Sequence, residues 1–308
     1  MKYTDLRIVF MGTPEFAKGC LKTLVEAGLN IVGIVTAPDK PAGRGLKLQE
    51  TAVKQYAASM NIPVLQPEKL KNPEFLGALK SLQADVQIVV AFRMLPTLVW
   101  DMPTMGTINL HASLLPDYRG AAPINWAIIK GEKTTGITTF KLQHEIDTGD
   151  VLLSEKIDIS KTESAGTLHN KMMEKGGFLL LETIKGIADD SLTPIPQSFV
   201  PNAIPKSAPK IFTETCQIDW NNTVDDVYNL IRGLSPYPGA FTHLNNKLFK
   251  IYESIKETSA EPTIPGTVIV EKNALKFACL DGYICPTLVQ PEGKRKMEIG
   301  DFVRGMRC

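Results

Sequence analysis

Ile8-Val9-Phe10-Met11-Gly12-Thr13-Pro14 joins a run of four apolar residues to a glycine, a hydroxyl side chain and a proline. The reading of that junction decides the fold. The apolar run is a predicted strand. Thr13 is then expected as the N-cap of a helix with Pro14 at its first position, where a missing N–H removes no hydrogen bond, and Gly28 is expected to close that helix. The same alternation recurs downstream. Ile31 to Val35 reads as a second strand, Asn72-Pro73 as another helix start, Val86 to Ala91 as a third strand and Thr107 to His111 as a fourth. Strands that are apolar throughout and separated by segments long enough for helical crossovers imply a parallel sheet covered on both faces. Thr135 to Lys141 and Val151 to Ile159 add strand-like runs, and Ala165 to about Ala188 has helical spacing. The predicted class is α/β, with a Rossmann-like, doubly wound, mainly parallel sheet in an N-terminal domain spanning 1–190.

Beyond it, Pro194, Pro196, Pro201, Pro205 and Pro209 punctuate a stretch with little periodicity. Proline removes a donor and favours extended backbone, so residues 191–210 are expected to form a semi-rigid linker. In 211–308 a helical run near Val224 to Arg232 accompanies short β-rich runs at Leu248 to Tyr252, Gly266 to Val270 and Leu275 to Leu280, which suggests a small barrel.

The 308 residues, 44% hydrophobic and 22% charged, suffice for a sizeable core and for two domains. Met1 to Arg7 mixes acid and base before an apolar run too short for a signal peptide. No apolar stretch approaches the roughly 20 residues that span a bilayer. Cys20, Cys216, Cys279, Cys285 and Cys308 are odd in number and scattered, which suggests neither a disulfide framework nor a zinc site. A reducing cytoplasm is the expected compartment. A net charge of +1 carries no electrostatic argument for nucleic acid, so any RNA contact must rest on a local patch. From Lys206 onward 13 Lys and Arg face 12 Asp and Glu, so the C-terminal part has no basic excess either.

Asn109 and His111 lie two apart in a predicted strand, so both side chains share one face. At the carboxyl end of a strand in an open α/β sheet that face borders the usual ligand crevice, although an isolated Asn-x-His pair often only caps a strand. Asp147-Thr148-Gly149-Asp150 falls between two strand-like runs. Gly149 permits a tight turn aiming the Asp147 carboxylate into a cleft, or else the acid satisfies turn amides. The Asp-Thr-Gly triplet of aspartic proteases needs two facing carboxylates, and this chain carries one such triplet. Gly12-Thr13-Pro14-Glu15 lacks the other glycines of a dinucleotide loop, and Glu15 would repel a pyrophosphate. Pro38 to Lys47 is a Gly- and Pro-rich connection carrying Lys40, Arg44 and Lys47, able to reach phosphates or base edges or simply to be solvated. Lys294-Arg295-Lys296 reads as a solvated turn. His144, His169 and His243 lack ligand spacing and read as structural.

Asn109 to Pro116, Arg119-Gly120-Ala121-Ala122-Pro123-Ile124 and Asp147 to Asp150 resemble the folate-dependent formyltransferases. Pro38 to Gly45 and Leu234 to Ala240 are similar to the branch of that family whose acceptor is the initiator methionyl-tRNA. The resemblance runs through nearly the whole chain. It implies a Rossmann-like domain that binds 10-formyltetrahydrofolate and an OB-like C-terminal barrel that helps hold tRNA. It implies catalytic positions at Asn109, His111 and Asp147, folate contacts at Ser113, Leu114, Leu115 and Pro116, and tRNA contacts from Arg44 and Lys47 in the loop. The expected reaction is formyl transfer to the α-amino group of methionyl-tRNA by a cytoplasmic monomer with no metal and no membrane partner.

Ala91 to Pro96 departs from the family, which usually has a longer, glycine-containing segment beside the folate pocket. Gln143-His144-Glu145 is more charged than is usual there. Competing readings are a formyltransferase acting on an amino nucleotide sugar, which shares motifs like Leu115 to Gly120 and Pro123 to Trp126, a hydrolase that deformylates the folate, and a non-catalytic RNA-binding relative.

Overall fold

The computed structural model describes residues 2–42, 47–197, 205–259 and 264–306. The chain runs through β1 (Ile8–Gly12), α1 (Glu15–Glu26), β2 (Ile31–Val35), β3 (Lys40–Ala42), β4 (Lys47–Gln49), α2 (Ala52–Ser59) and β5 (Val64–Leu65). Next come α3 (Pro73–Ser81), β6 (Val86–Val90), α4 (Thr97–Trp100), β7 (Thr107–His111), β8 (Arg119–Gly120), α5 (Pro123–Ile129), β9 (Thr134–Lys141), β10 (Val151–Asp158) and α6 (Ala165–Ala188). The remainder is β11 (Ser207–Ala208), α7 (Val224–Gly233), β12 (Ala240–Leu244), β13 (Lys247–Thr258), β14 (Val268–Val270), β15 (Leu275–Ala278), β16 (Gly282–Pro291), β17 (Met297–Glu298) and α8 (Ile299–Met306). Contacts divide the chain into two compact units. One holds Met1–Arg119, Gly136–Ile157 and Asn170–Lys206; the other holds Gly120–Thr135, Asp158–His169 and Ser207–Cys308.

The first unit is built on a seven-stranded sheet in the order β10-β9-β7-β6-β1-β2-β5. β5, β2, β1, β6 and β7 are mutually parallel, and β9 joins β7 antiparallel. The doubly wound, mainly parallel expectation therefore holds. Strand order reverses between β1 and β6, the place where open α/β sheets leave a crevice at their carboxyl ends. Alternating residues feed the two faces. Val9 and Met11 of β1 join Phe75, Leu79 and Val99 in one apolar cluster. On the other face Leu110 of β7 meets α6 so closely that a Cβ on Gly176 would stand 2.7 Å from it.

Helix α1 begins one residue later than expected. Pro14 is its extended N-cap and makes no side-chain cap, so Thr13 lies outside the helix. Gly12 explains the tight entry, because a Cβ there would meet Ala17 Cβ at 2.5 Å and the Val90 carbonyl oxygen at 2.9 Å. That glycine serves close strand–helix packing. Gly28 ends the helix as expected, at φ +78°, with Gly28 N–H donating to Val25 and Leu29 N–H to Leu24. Asn72 caps α3 by accepting from Glu74 N–H at 3.0 Å.

In the second unit β12-β13-β16-β15-β14 form an antiparallel sheet to which β17 adds against β16. Phe249, Ile251, Phe277, Ile284 and Val289 line its core with Val227 and Ile231 of α7, whose start Thr223 caps by accepting from Asp226 N–H. Among the described residues no pairing joins β12 to β14, so the expected small barrel is a curved half-barrel. Among them, too, no helix is long and apolar enough to cross a membrane.

Candidate functional site

Strand β7 delivers the first two candidate residues. With Leu110 committed to α6, the alternation of a strand puts Asn109 and His111 on the opposite face. Asn109 pairs in register with Val89 of β6 and is half-buried; among the described residues its carboxamide has no hydrogen-bond partner. His111, at the carboxyl end of the strand, is 6% exposed. Its Nε2 lies 2.8 Å from the Tyr118 carbonyl oxygen. A carbonyl only accepts, so Nε2 carries the hydrogen, and Nδ1 is the nitrogen left for other chemistry. Nδ1 lies 3.8 Å from Asp147 Oδ2. Two segments 36 positions apart thus meet at one imidazole.

The turn carrying Asp147 is built by contacts that its triplet only partly advertised. Asp147 itself takes φ +54°, the left-handed region that Asp tolerates better than most residues. Gly149 is needed for a different reason: a Cβ there would sit 1.6 Å from the Lys141 carbonyl oxygen. The turn therefore lies directly on the end of β9. Lys141 N–H donates to the Asp150 carbonyl at 3.0 Å, and the Thr148 hydroxyl donates to Glu145 O at 3.1 Å.

The loop after β7 is braced from inside. Ser113 is fully buried and its hydroxyl donates to the Asp117 carbonyl at 2.6 Å. The Thr138 hydroxyl donates to Ser113 O at 2.7 Å and accepts from Leu115 N–H at 3.2 Å. Leu114, Leu115 and Pro116 remain half-buried, an apolar strip in the loop that follows His111. Ser113 thus shapes the loop from within. Tyr118, whose carbonyl fixes His111, escaped sequence reasoning because a backbone acceptor leaves no residue signature.

Other expected contributors lie elsewhere. Arg44 falls outside the described residues, and Lys47 opens β4 of the two-stranded β3–β4 hairpin. Below that hairpin Asp39 pairs with Lys54 and accepts from Gln66 Nε2 at 2.8 Å. In the departing segment Ala91 stands at φ +46°, a conformation natural to glycine, and the Arg93 guanidinium donates to the carbonyls of Pro67 and Glu68. His144 packs edge-on to Trp100 and His243 edge-on to Phe241, in keeping with structural roles.

A half-buried amide donor, an imidazole and a carboxylate at the carboxyl end of a sheet can stabilise an oxyanion and relay a proton. The family model described as "Formyl transferase" matches residues 6–184, and "Formyl transferase, C-terminal domain" matches 210–307. A methionyl-tRNA formyltransferase of Bacteroides thetaiotaomicron is 52% identical over 316 aligned positions, covering 100% of this chain and 98% of that one. One from Flavobacterium johnsoniae is 47% identical, covering 98% and 96%. Among solved structures, the sugar 3N-formyl transferase WlaRD matches with a TM-score of 0.68 at 17% identity, covering 94% of this chain and 99% of that one. HypX of Aquifex aeolicus in complex with tetrahydrofolic acid matches at 0.67 and 18%, over 97% of this chain and 47% of that chain. Those two likenesses concern the fold. With both family models matched in order and about half of all residues shared along the full length of such relatives, this chain belongs to the formyl transferase family.

Proposed function

We propose that this chain transfers the formyl group of 10-formyltetrahydrofolate to the α-amino group of initiator methionyl-tRNA. The observation that carries the reading is the convergence of His111 Nδ1 and Asp147 Oδ2 at 3.8 Å, with the Asn109 carboxamide on the same face of β7. Full-length identity to methionyl-tRNA formyltransferases selects the acceptor.

The folate supplies the formyl carbon, and the half-buried strip Leu114-Leu115-Pro116 offers an apolar wall suited to its ring system. Buried Ser113 supports that wall through its bond to Asp117. As the α-amine attacks, charge develops on the formyl oxygen. The Asn109 amide donates to it, and His111 donates through Nδ1 when the ring carries a second proton beside the one on Nε2; loss of one such donor typically costs about 100- to 1000-fold in rate. With Nε2 committed to Tyr118, proton traffic runs through Nδ1 and Asp147. The amine gives up its proton as the new C–N bond forms, and the departing folate nitrogen takes one as its bond to the formyl carbon breaks.

Residues 1–190 form the catalytic segment in this reading, 191–210 the connection and 211–308 the part that helps hold tRNA; family-model bounds at 184 and 210 support it. Arg44 and Lys47 reach the tRNA, and the enzyme works as a cytoplasmic monomer.

The test is incubation of the purified chain with 10-formyltetrahydrofolate and methionyl-tRNA, alongside uncharged tRNA, free methionine and an amino nucleotide sugar. Formylation of methionyl-tRNA alone is the expected outcome. Formylation of the sugar, or formate release without an acceptor, overturns it. Arg44→Ala should weaken use of methionyl-tRNA and leave folate binding intact.

A further inference from the structure

Gln197 lies outside every motif discussed above, yet its side chain touches both halves of the candidate site. Its Nε2 donates to the main-chain carbonyls of Asp147 at 3.0 Å and Gly149 at 2.7 Å. Its Oε1 accepts from Arg119 Nε at 3.1 Å and Nη2 at 2.6 Å. Both amide hydrogens and both oxygen lone pairs are therefore in use, which fixes the orientation of the carboxamide. All of these residues belong to the same compact unit.

The anchoring of Gln197 is itself firm. Two residues earlier, Ile195 exchanges a pair of backbone hydrogen bonds with Val151 at the start of β10, each 2.8 Å long. Gln197 thus projects from a segment stitched to the strand that follows the Asp147 turn. What it grips needs a grip. Asp147 holds φ +54°, the left-handed region that favours glycine, so an unrestrained turn can relax away from it. The clamp closes on the carbonyls on either side of Thr148. Its other end holds Arg119, the neighbour of Tyr118, and the Tyr118 carbonyl holds His111 Nε2.

We propose that Gln197 is a positioning residue, its carboxamide tying the turn that carries Asp147 to the segment that orients His111 and so setting the 3.8 Å approach of carboxylate and imidazole. The proposal rests on the reading of His111 and Asp147 as the reacting pair. Gln197 touches neither side chain and acts only through the backbone that carries them. The principle is that a displacement of about 1 Å in a reacting group can cost about 100-fold in rate.

The experiment is a double-mutant cycle on formyl transfer to methionyl-tRNA, with Gln197→Leu, Asp147→Ala and the combination. Gln197→Leu is expected to lower kcat by about 10- to 100-fold while KM for both substrates changes less than about twofold. It is also expected to shift the pH dependence of kcat, which a purely structural role leaves in place. In the Asp147→Ala background the further loss should vanish, because the group being positioned is gone. Gln197→Glu keeps an acceptor for Arg119 and turns the donation to the two carbonyls into repulsion by a carboxylate oxygen; it should show at least the same fall in kcat, and it serves if Gln197→Leu does not fold. If Asp147→Ala itself retains near-normal kcat, the reading of the reacting pair fails. If Asp147→Ala is crippled while the Gln197 variants keep kcat, act on KM alone, or multiply their effect with that of Asp147→Ala, this proposal is overturned and the reading of the pair stands.

Discussion

Gly149→Ala is the perturbation whose consequence can be worked most directly from distances. The new Cβ would lie 1.6 Å from the Lys141 carbonyl oxygen and 3.2 Å from Phe140 Cδ2. Neither partner can yield cheaply, since one is main chain at the end of β9 and the other belongs to a fully buried ring. The turn must therefore retreat, by about 1.8 Å to reach the 3.4 Å at which ordinary contact begins. That movement breaks the 3.0 Å bond from Lys141 N–H to Asp150 and the 2.7 Å bond from Gln197 to the Gly149 carbonyl. At about 1 kcal/mol net for each bond and roughly 1 to 3 kcal/mol for overpacking, the loss of stability should total about 3 to 5 kcal/mol. Asp147, two residues away, moves with the turn, so kcat should fall by at least about 100-fold. Urea unfolding followed by circular dichroism gives the first quantity and steady-state formyl transfer the second. A folded Gly149→Ala chain with wild-type unfolding midpoint and kcat within about threefold of wild type would refute the account of the turn.

Asn109→Ala should reduce kcat/KM by about 100- to 1000-fold with little change in thermal stability, because the carboxamide is half-buried and has no partner to orphan among the described residues; a loss confined to stability would contradict its role as a donor. Gly77 sits in α3 with nothing within 4 Å of an added Cβ, so Gly77→Ala should stabilise the chain by about 0.5 to 1 kcal/mol in denaturant titration, and destabilisation would count against the assigned helix. Hydrogen bonds from Lys54 and Gln66 hold the Asp39 carboxyl below the ordinary carboxylate range. A pKa depressed by folding stabilises above the unfolded value near pH 4 and loses that contribution as pH falls from there through the lower, folded value. The stability gap between wild type and Asp39→Asn should accordingly be present at pH 7 and close on acidification; a gap of equal size at pH 3 disproves the pairing. Burial pushes the Cys20 thiol up to about 12, so mass spectrometry should find it unalkylated at pH 8 until the chain unfolds.

Local patterns alone determined most of the first unit. The apolar runs at Ile31 to Val35 and Thr107 to His111 are strands with the expected bounds, and the helical spacing from Ala165 to Ala188 is realised as α6. Such segments are long, strongly periodic and punctuated by Gly, Pro or Asn, so neighbours in sequence suffice to specify them. Residue chemistry also marked Asn109, His111 and Asp147, because an amide, an imidazole and a turn carboxylate carry recognisable side chains. In the second unit β12, β16 and α8 went unread, since a strand such as Gly282–Pro291, with glycine, cysteine and two prolines, is made by its partners β13 and β15.

Only the tertiary structure decided how the site is held. That Gly149 is demanded by the Lys141 carbonyl, that Asp147 itself bears the positive φ, and that Ser113 braces from within are facts about approach between segments. The same holds for the Tyr118 carbonyl on His111 and the Gln197 carboxamide on the Asp147 turn. A main-chain acceptor has no letter in the sequence, and a donor 50 positions away has no local period. Chemistry of this kind is written in side chains, while its geometry is set by backbone atoms that folding alone brings together.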